Sequence, residues 1–371
     1  MSPLSRRVEE AGMQAIRRLR WPGSFGPDDF FADANTARVR FARLIGANDP
    51  SRVAIVPAVS YGIALAARNV RISSAANVVL AGGQFPSNVH AWLALARRNG
   101  ATVRFVERPH VAHGRAAEWS ARLIEAIDTG TAVVALGTVD WTDGTPFALE
   151  AIGARAREVG AAYVLDGIHS LGALPFDVER VRPDLLVSAA YKWLGGPMGI
   201  GVAYVGERFS NGEPLEDTWA GRVDSEDFSR LTKYDAEYRS GAERFDQGGR
   251  AHFVLLPMLI AALDQLLAWN PVRIQAYCAK LVSAFVEAAP SLGFGVDDPA
   301  DRCHHLFALY PPDSMRAPEL QRLLASVHHV QVSARGRSLR VAPFVYNNAA
   351  DLTALYEASR ELCSSGAVAI H

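Results

Sequence analysis

The sequence is poor in cysteine and has almost no net charge, and each shortage excludes a class of protein. Its three cysteines, Cys278, Cys303 and Cys363, are widely spaced in 371 residues and form no CxxC pair. Neither a disulfide framework nor a metal site is therefore expected, and a reducing, cytoplasmic setting fits best. A formal net charge of -1 provides no broad field for nucleic acid or an anionic membrane, so neither is an expected partner.

Segments typical of targeting or of membrane insertion are also missing. The first residues, MSPLSRRVEEAGMQAIRRLR, mix acids with bases and contain no apolar run of the signal-peptide type. The long apolar stretch from Phe253 to Trp269 covers about 17 residues and includes Pro257, Asp264 and Gln265. It predicts a buried helix rather than a membrane span.

What the sequence does contain is a series of short β-rich runs that alternate with helical patterns. The runs are VAIV (53–56), NVVLA (77–81), TVRFV (102–106), AVVAL (132–136), AYVLD (162–166), DLLVS (184–188) and GVAYV (201–205). Runs without polar alternation are typical of strands covered on both faces. They predict an α/β fold with a mostly parallel seven-stranded sheet and helices on either side.

The pattern changes after residue 270, which predicts a second, smaller domain. We expect a large domain over 46–270, a small α+β domain over 271–371, and an N-terminal segment, 1–45, that packs on the small domain. The expected small-domain elements are a helix (272–289), a loop (293–302), a strand (305–310), a helix (318–326), strands near 330–333 and 338–342, and a helix from about 350.

Ligands of such sheets bind beyond the carboxyl ends of the strands, so the residues after each run are the candidates. Ser60, after the first strand, is expected to cap a helix whose start can hold a phosphate, although most such starts are ordinary caps. Phe85 follows the second strand and is placed to stack on a flat ring, or to plug an exposed turn.

Three further residues follow the fifth and sixth strands. Asp166 can pair with a protonated ring nitrogen or cap a loop, and His169 lies three residues beyond it. Lys192, between two aromatic residues and before a Gly/Pro turn, is suited to imine chemistry if it is partly desolvated. Because successive strands end at one edge, Asp166 and Lys192 are predicted to contact the same ring.

Seven motifs occur in a fixed order: SYG, GQFPSN, WTDG, DGIHS, YKWLGGP, RFDQGG and RVAPFVYNN. Together they resemble the class V aminotransferases, which use pyridoxal phosphate (PLP) and include cysteine desulfurases, isopenicillin N epimerase and kynureninase. The resemblance implies a fold-type-I PLP-dependent transferase that forms a homodimer with a shared active site.

The resemblance also assigns roles to single residues. Lys192 would hold PLP as a Schiff base, Asp166 would pair with the pyridine nitrogen, and His169 takes the place of a family Gln or His near the ring oxygen. Arg340 would receive the carboxylate of an amino-acid substrate. The remaining cofactor contacts would be Phe85 and, nearby, Trp141 at the ring, with Ser60, Tyr61, Tyr191 and Gly248 or Gly249 of the neighbouring subunit at the phosphate.

Two segments qualify the resemblance. VHHVQVSARGRSLR has no cysteine where desulfurases carry the catalytic one, which disfavours a persulfide mechanism, and Cys303 is expected to be structural. FPSN, YKW and TWAGR look like kynureninase counterparts, and Arg222 in TWAGR either binds a second anionic group of the substrate or is a surface or interface arginine.

These features predict an enzyme that acts at the α-carbon of an amino acid, with Lys192 as general base. Transamination is the nominal choice, and a C–S or C–C lyase or an epimerase is the alternative. A hypothesis of another class is a non-catalytic PLP- or nucleotide-binding protein. Against the nucleotide reading, no GxGxxG or GxxxxGK[ST] turn follows Val56 or Ala81.

Overall fold

The computed structural model describes residues 1–111, 113–234 and 237–364 and divides into two compact units. The first unit comprises Met1–Arg108, Ala121–Thr138 and Ala148–Asn270, and the second comprises Pro109–Ser120, Val139–Phe147 and Pro271–His371. Two short segments that we expected in the large domain therefore belong to the second unit.

A seven-stranded sheet forms the core of the first unit. Its strands are β1 (Val53–Val56), β2 (Asn77–Ala81), β3 (Thr102–Val106), β4 (Thr131–Gly137), β5 (Ala162–Asp166), β6 (Leu185–Ala189) and β7 (Gly201–Val205). They lie in the order β1-β7-β6-β5-β4-β2-β3. The pairs among β2 to β6 are parallel, and β7 runs antiparallel to both of its neighbours. The predicted α/β fold with a mostly parallel sheet is confirmed.

The apolar runs form strands because helices cover both faces of most of the sheet. Every residue of β1, β2, β5 and β6 is buried. The exception is β3, which lies at the edge and exposes Thr102, Arg104 and Phe105. The expectation that all seven strands are covered on both faces is wrong for β3. Edge position alone does not explain this, since β1 lies at the other edge and is buried beside residues 29–44 and 241–245.

Eight α-helices begin among the described residues up to 270. They are α1 (Arg6–Arg18), α2 (Asp29–Leu44), α3 (Val59–Asn69), α4 (His90–Asn99), α5 (Arg115–Ala126), α6 (Leu149–Glu158), α7 (Val178–Val181) and α8 (Leu255–Trp269). Helix α8 is the buried helix that the apolar stretch predicts. Within the described ranges no single helix is long and apolar enough to cross a membrane, although α8 and the helix that follows it would pass the same test as a bent pair, by length and composition alone.

The N-terminal segment packs differently from our expectation. Helices α1 and α2 both pack on α8 of the first unit, where Val8 contacts Met258, Ala261 and Ala262. A side chain at Gly12 would overlap Met258, so the small residue permits this close approach. The apolar surface of α8 therefore holds residues 1–45 in the first unit, not on the small domain as we predicted.

The second unit is built on a four-stranded antiparallel sheet. Its strands, β8 (Gly295–Val296), β9 (Phe307–Tyr310), β10 (Ser333–Arg335) and β11 (Ser338–Val341), lie in the order β10-β11-β9-β8. Helices α9 (Pro271–Ala288), α10 (Ala317–Ser326) and α11 (Ala349–Ser364) complete it. The expected α+β pattern is present, but β8 lies inside the predicted loop and β10 begins three residues later than predicted.

Candidate active site

The ends of β5 and β6 bring Lys192 and His169 together. The Nζ atom of Lys192 lies 2.9 Å from Nε2 of His169. Two aromatic rings flank the same amine, with Nζ 5.4 Å from the ring centre of Phe85 and 5.7 Å from that of Tyr191. The amine predicted to carry a cofactor is thus half-buried between an imidazole and two rings.

Asp166 is buried behind this amine. It ends β5, where its Oδ1 accepts a hydrogen bond from the backbone N–H of Ile168 at 3.0 Å. Burial raises the pKa of Asp166 to about 6, although the Ile168 N–H and the charge of Lys192 both favour the ionised form. A positively charged partner therefore stabilises the ionised form of this buried carboxylate more than it would at the surface.

Close backbone packing joins the two loops that carry these groups. Gly172 has a φ of 96°, and a Cβ at this position would overlap the carbonyl oxygen of Trp193. Gly167 donates its N–H to Val187 O at 2.8 Å, which ties the Asp166 loop to β6. The glycines therefore let the 166–173 loop reach the Lys192 loop.

A chain of amide hydrogen bonds holds the turn that presents Phe85. Gln84 Nε2 donates to Ala135 O at 3.0 Å, and Asn88 Nδ2 donates to Gln84 Oε1 at 3.0 Å. The indole N–H of Trp92 in turn donates to Asn88 Oδ1 at 3.3 Å. The polar residues of GQFPSN thus fix the turn, and Phe85 is left at the ligand edge with its ring centre 6.2 Å from that of His169.

The start of α3 differs in detail from the prediction. The helix begins at Val59 with Ala58 at the cap position, so Ser60 is not the N-cap that we expected. Ser60 is instead the second helical residue and is exposed, and Tyr61 follows it. The hydroxyl of Tyr61 is buried and has no hydrogen-bond partner among the described residues.

The RFDQGG segment is held beside β1 by buried charges. Arg38 of α2 pairs with Asp246, whose Oδ1 also accepts the Ile55 N–H at 2.8 Å. Gln247 donates its N–H to Ile55 O at 2.9 Å, while its buried side-chain Nε2 has no partner in the described part of the chain. Both Gln247 and α3 thus adjoin the same end of the sheet.

Two exposed glycines, Gly248 and Gly249, end this segment. The Gly248 N–H donates to Oε2 of Glu216 in the same chain at 2.5 Å. The expectation that these glycines serve the phosphate of a neighbouring subunit stays a prediction.

Trp141 and Arg340 lie in the second unit, where they contact each other. Nη1 of Arg340 donates to the carbonyl of Trp141 at 2.9 Å. The turn that carries Trp141 is fixed by Arg115, which donates to Thr145 Oγ1 at 3.1 Å and pairs with Asp297 at 2.6 Å. A Cβ at Gly144, where φ is 76°, would overlap the carbonyl of Leu306.

Arg222 of the first unit is already paired. Its Nη2 lies 2.8 Å from Asp217 Oδ1, and its guanidinium lies 3.9 Å from the ring centre of Tyr238. The binding role that we considered for Arg222 stays untested, and these contacts favour its structural alternative.

Comparison with known protein families identifies the family of this chain. The model of the class V aminotransferases matches residues 28–292. The chain belongs to the class V aminotransferase family. Membership identifies PLP as its cofactor and confirms the resemblance that the seven motifs indicated.

Individual class V relatives differ in their named activities. The chain is 29% identical to isopenicillin N epimerase of Streptomyces clavuligerus, over 50% of this chain and 46% of that one. It is 27% identical to kynureninase of Pseudomonas fluorescens, over 67% and 58%. The chain thus spans about half the length of these curated relatives.

Solved structures support the fold. The apo cysteine desulfurase of Thermococcus onnurineus NA1 superposes with a TM-score of 0.80 at 20% identity, covering 98% of this chain and 93% of that one. A complex of the cystine C–S lyase C-DES with cysteine persulfide gives 0.79 at 19% identity, covering 98% and 94%. At such identities the likeness establishes the fold type I architecture alone.

The residues of the first unit fit PLP by their chemistry. Asp166 is a buried carboxylate suited to a protonated ring nitrogen, and Lys192 offers an amine between aromatic rings. The unpartnered hydroxyl of Tyr61 and amide of Gln247, with the start of α3, are donors suited to a phosphate. These buried donors need an acceptor, since a buried polar group without a partner is costly.

Sequence reasoning missed several contributors. One missed signal is the scarcity of lysine. The chain contains three lysines, of which Lys233 and Lys280 are exposed, so Lys192 is the lysine best suited to hold a cofactor. Two missed residues are Gln247, which adjoins a recognised motif, and Arg335, which lies five residues before Arg340 across a turn at Gly336.

Proposed function

We propose that this class V enzyme acts at the α-carbon of an amino acid, with transamination as the nominal reaction. The observation that carries the proposal is the half-buried Lys192 amine, 2.9 Å from His169 and backed by the buried Asp166. When bound, PLP supplies an electron sink for the electrons released at the α-carbon.

Each residue then has a defined task. Lys192 Nζ would hold the cofactor and would remove or return the α-proton of the substrate. His169 orients that amine through its hydrogen bond, while Asp166 provides the negative charge that keeps a protonated ring nitrogen charged. Phe85 and Tyr191 border the amine with their rings.

Separate groups of residues are proposed for the phosphate and for the substrate carboxylate. Tyr61, Gln247 and the N–H groups that begin α3 hold the phosphate, with Ser60, Tyr191 and the exposed glycines Gly248 and Gly249 as further contacts. Arg340 receives the substrate carboxylate, as the family pattern implies, and Trp141 orients the guanidinium of Arg340. Because Gly248 and Gly249 are exposed, we retain the homodimer with a shared active site; a monomeric mass in light scattering of the PLP-bound protein would contradict it.

Lyase chemistry of the C–S or C–C type is the second candidate, since related and structurally similar proteins include a kynureninase and a C–S lyase. A persulfide mechanism is disfavoured because it needs a reactive thiolate. Burial raises the pKa of Cys278 and of Cys303 to about 12 and also raises that of Cys363. All three thiols are free, in keeping with the reducing, cytoplasmic setting that we propose.

Incubation of the PLP-bound protein with a panel of single amino acids tests the reaction type. Transamination predicts conversion of the cofactor to its pyridoxamine form and one equivalent of keto acid, until an acceptor keto acid is added. Steady release of keto acid and ammonia with an unchanged cofactor spectrum would refute transfer and support the lyase. Inversion of configuration alone would support the epimerase.

A further inference from the structure

Two arginines lie on one face of the β10–β11 hairpin. Arg340 pairs with Ser333, and Arg335 pairs with Ser338. Because alternate residues of a strand share a face, Arg335 lies on the same face as Ser333 and therefore as Arg340. The turn at Gly336, with a φ of 57°, folds the two strands together.

Both guanidinium groups adjoin Trp141. The central carbon of Arg335 lies 5.1 Å from the ring centre of Trp141, and that of Arg340 lies 5.9 Å from it. The Nε atoms of both arginines are buried without a hydrogen-bond partner, and no carboxylate pairs with either arginine among the residues that the structure describes. Nη1 of Arg335 donates to its own strand, at Ala334 O, 2.7 Å away.

The two half-buried guanidinium groups repel each other because both are positively charged. The pKa of Arg340 falls to about 10, because burial and then the charge of Arg335 disfavour its protonated form, and Asp140 offsets this only in part. Structural ion pairs elsewhere in the same unit look different, since Arg115 is joined to Asp297 and Asp143. The pair at Trp141 is therefore short of negative charge.

We propose that Arg335 and Arg340 select an amino acid whose side chain ends in a second anionic group. The inference rests on the proposed function, in which Arg340 receives the α-carboxylate. One guanidinium can hold one carboxylate through two parallel hydrogen bonds. A substrate with a single carboxylate would leave the positive charge of Arg335 without a counter-charge. A substrate with an acidic side chain provides a negative charge for each of the two arginines.

Other arginines are poorer candidates for the second anion. Arg222 is paired with Asp217 and stacked on Tyr238. Arg337 is on the same hairpin but is exposed, so its charge is solvated. Arg337 thus provides a matched control two residues from Arg335.

Calorimetric titration of the PLP-bound protein with unreactive acids tests the inference. Succinate and glutarate should bind at least about tenfold more tightly than propionate and butyrate, because a charge-assisted pair is lost with the monoacids. Arg335→Gln should remove this preference, because it weakens the binding of the diacids at least about tenfold more than that of the monoacids. Arg337→Gln should keep the preference, and Arg335→Lys should keep part of it.

Two outcomes overturn the inference: equal binding of diacids and monoacids by the unmodified protein, or a preference that survives Arg335→Gln. Thermal unfolding of each variant shows whether it is folded, and Arg335→Lys replaces Arg335→Gln if the latter is not. Failure of the proposed function is distinguishable, since it appears in the amino-acid panel as a PLP-bound protein that changes neither its cofactor nor any amino acid. The same titration on the cofactor-free chain then still decides whether the arginine pair prefers diacids.

Discussion

The charged groups at the end of the first unit's sheet and those on the hairpin of the second unit differ in how their charges are balanced. In the first unit Lys192 is hydrogen-bonded to His169, and the positive charge of Lys192 favours the ionised form of Asp166. In the second unit Arg335 and Arg340 are both positive and disfavour each other. The first arrangement suits a cofactor that carries both signs of charge, and the second suits an anion.

The difference also distinguishes the residues that hold the cofactor, around Lys192, from those that select the substrate, on the hairpin. Residues around Lys192 are of the types that the whole family needs for PLP, so they say little about substrate. The hairpin residues carry an excess of charge that PLP chemistry does not require. Variants in the first unit should therefore affect every amino-acid substrate alike, and variants of Arg335 should affect acidic substrates more than the others.

The largest effect is expected for Lys192→Ala. Loss of the Lys192 amine removes both cofactor attachment and the general base, so turnover of every substrate should fall by at least about 10³-fold. The visible absorbance of the PLP-bound protein should disappear as well. The exposed Lys280→Ala serves as control, and equal losses in the two variants would refute the role of Lys192.

Gly172→Ala should destabilise the first unit by about 3 kcal/mol, since it combines a positive φ with overlap at the carbonyl of Trp193. Gly160→Ala is the matched control, because Gly160 has a φ of 77° with nothing within 4 Å of an added Cβ. That variant should cost about 1 kcal/mol, the strain of the backbone alone. Denaturant unfolding measures both, and equal costs would show that the two loops are not closely packed.

Asp166→Asn should change how the stability of the cofactor-free protein depends on pH. The folded pKa of about 6 lies above the ordinary aspartate pKa of 3.8, so the stability that protonated Asp166 contributes is present below about pH 4 and is lost as the pH rises through 6. Relative to the unmodified protein, the variant should gain about 3 kcal/mol between pH 4 and pH 7. A difference in unfolding free energy that is flat with pH would contradict this burial.

The smallest effect is expected for His169→Gln. A glutamine retains a hydrogen-bonding group for Lys192, so kcat should change by less than about tenfold. His169→Phe removes that partner while it keeps a ring beside Phe85, and should cost about 10²-fold. Equal kinetics in the two variants would show that the hydrogen bond to Lys192 is unimportant.

Much of the first unit could be predicted because its signals are local. Five strands, including β1 and β5, have the predicted bounds, since uniformly apolar runs between turns leave few alternatives. Asp166 and Lys192 follow from the rule that successive parallel strands end at one edge.

The remainder depends on contacts between distant residues. Arg115 and Asp297 are 182 residues apart, and their pairing places the turn of Trp141 in the second unit. The exposure of β3, in contrast to the buried edge strand β1, depends on which distant elements pack on each edge, and the position of the N-terminal segment depends on the apolar surface of α8. Arg335 stayed unnoticed because its importance appears only once β10 and β11 are paired.

Borohydride reduction of the PLP-bound protein, followed by peptide mapping with mass spectrometry, tests the central claim most directly. Reduction makes the link between cofactor and lysine permanent, and the chain offers three lysines to compare: Lys192, Lys233 and Lys280. We predict the cofactor mass on the peptide that contains Lys192 and on neither of the others. A label on Lys233 or Lys280, or none on Lys192 in protein saturated with PLP, would contradict the account.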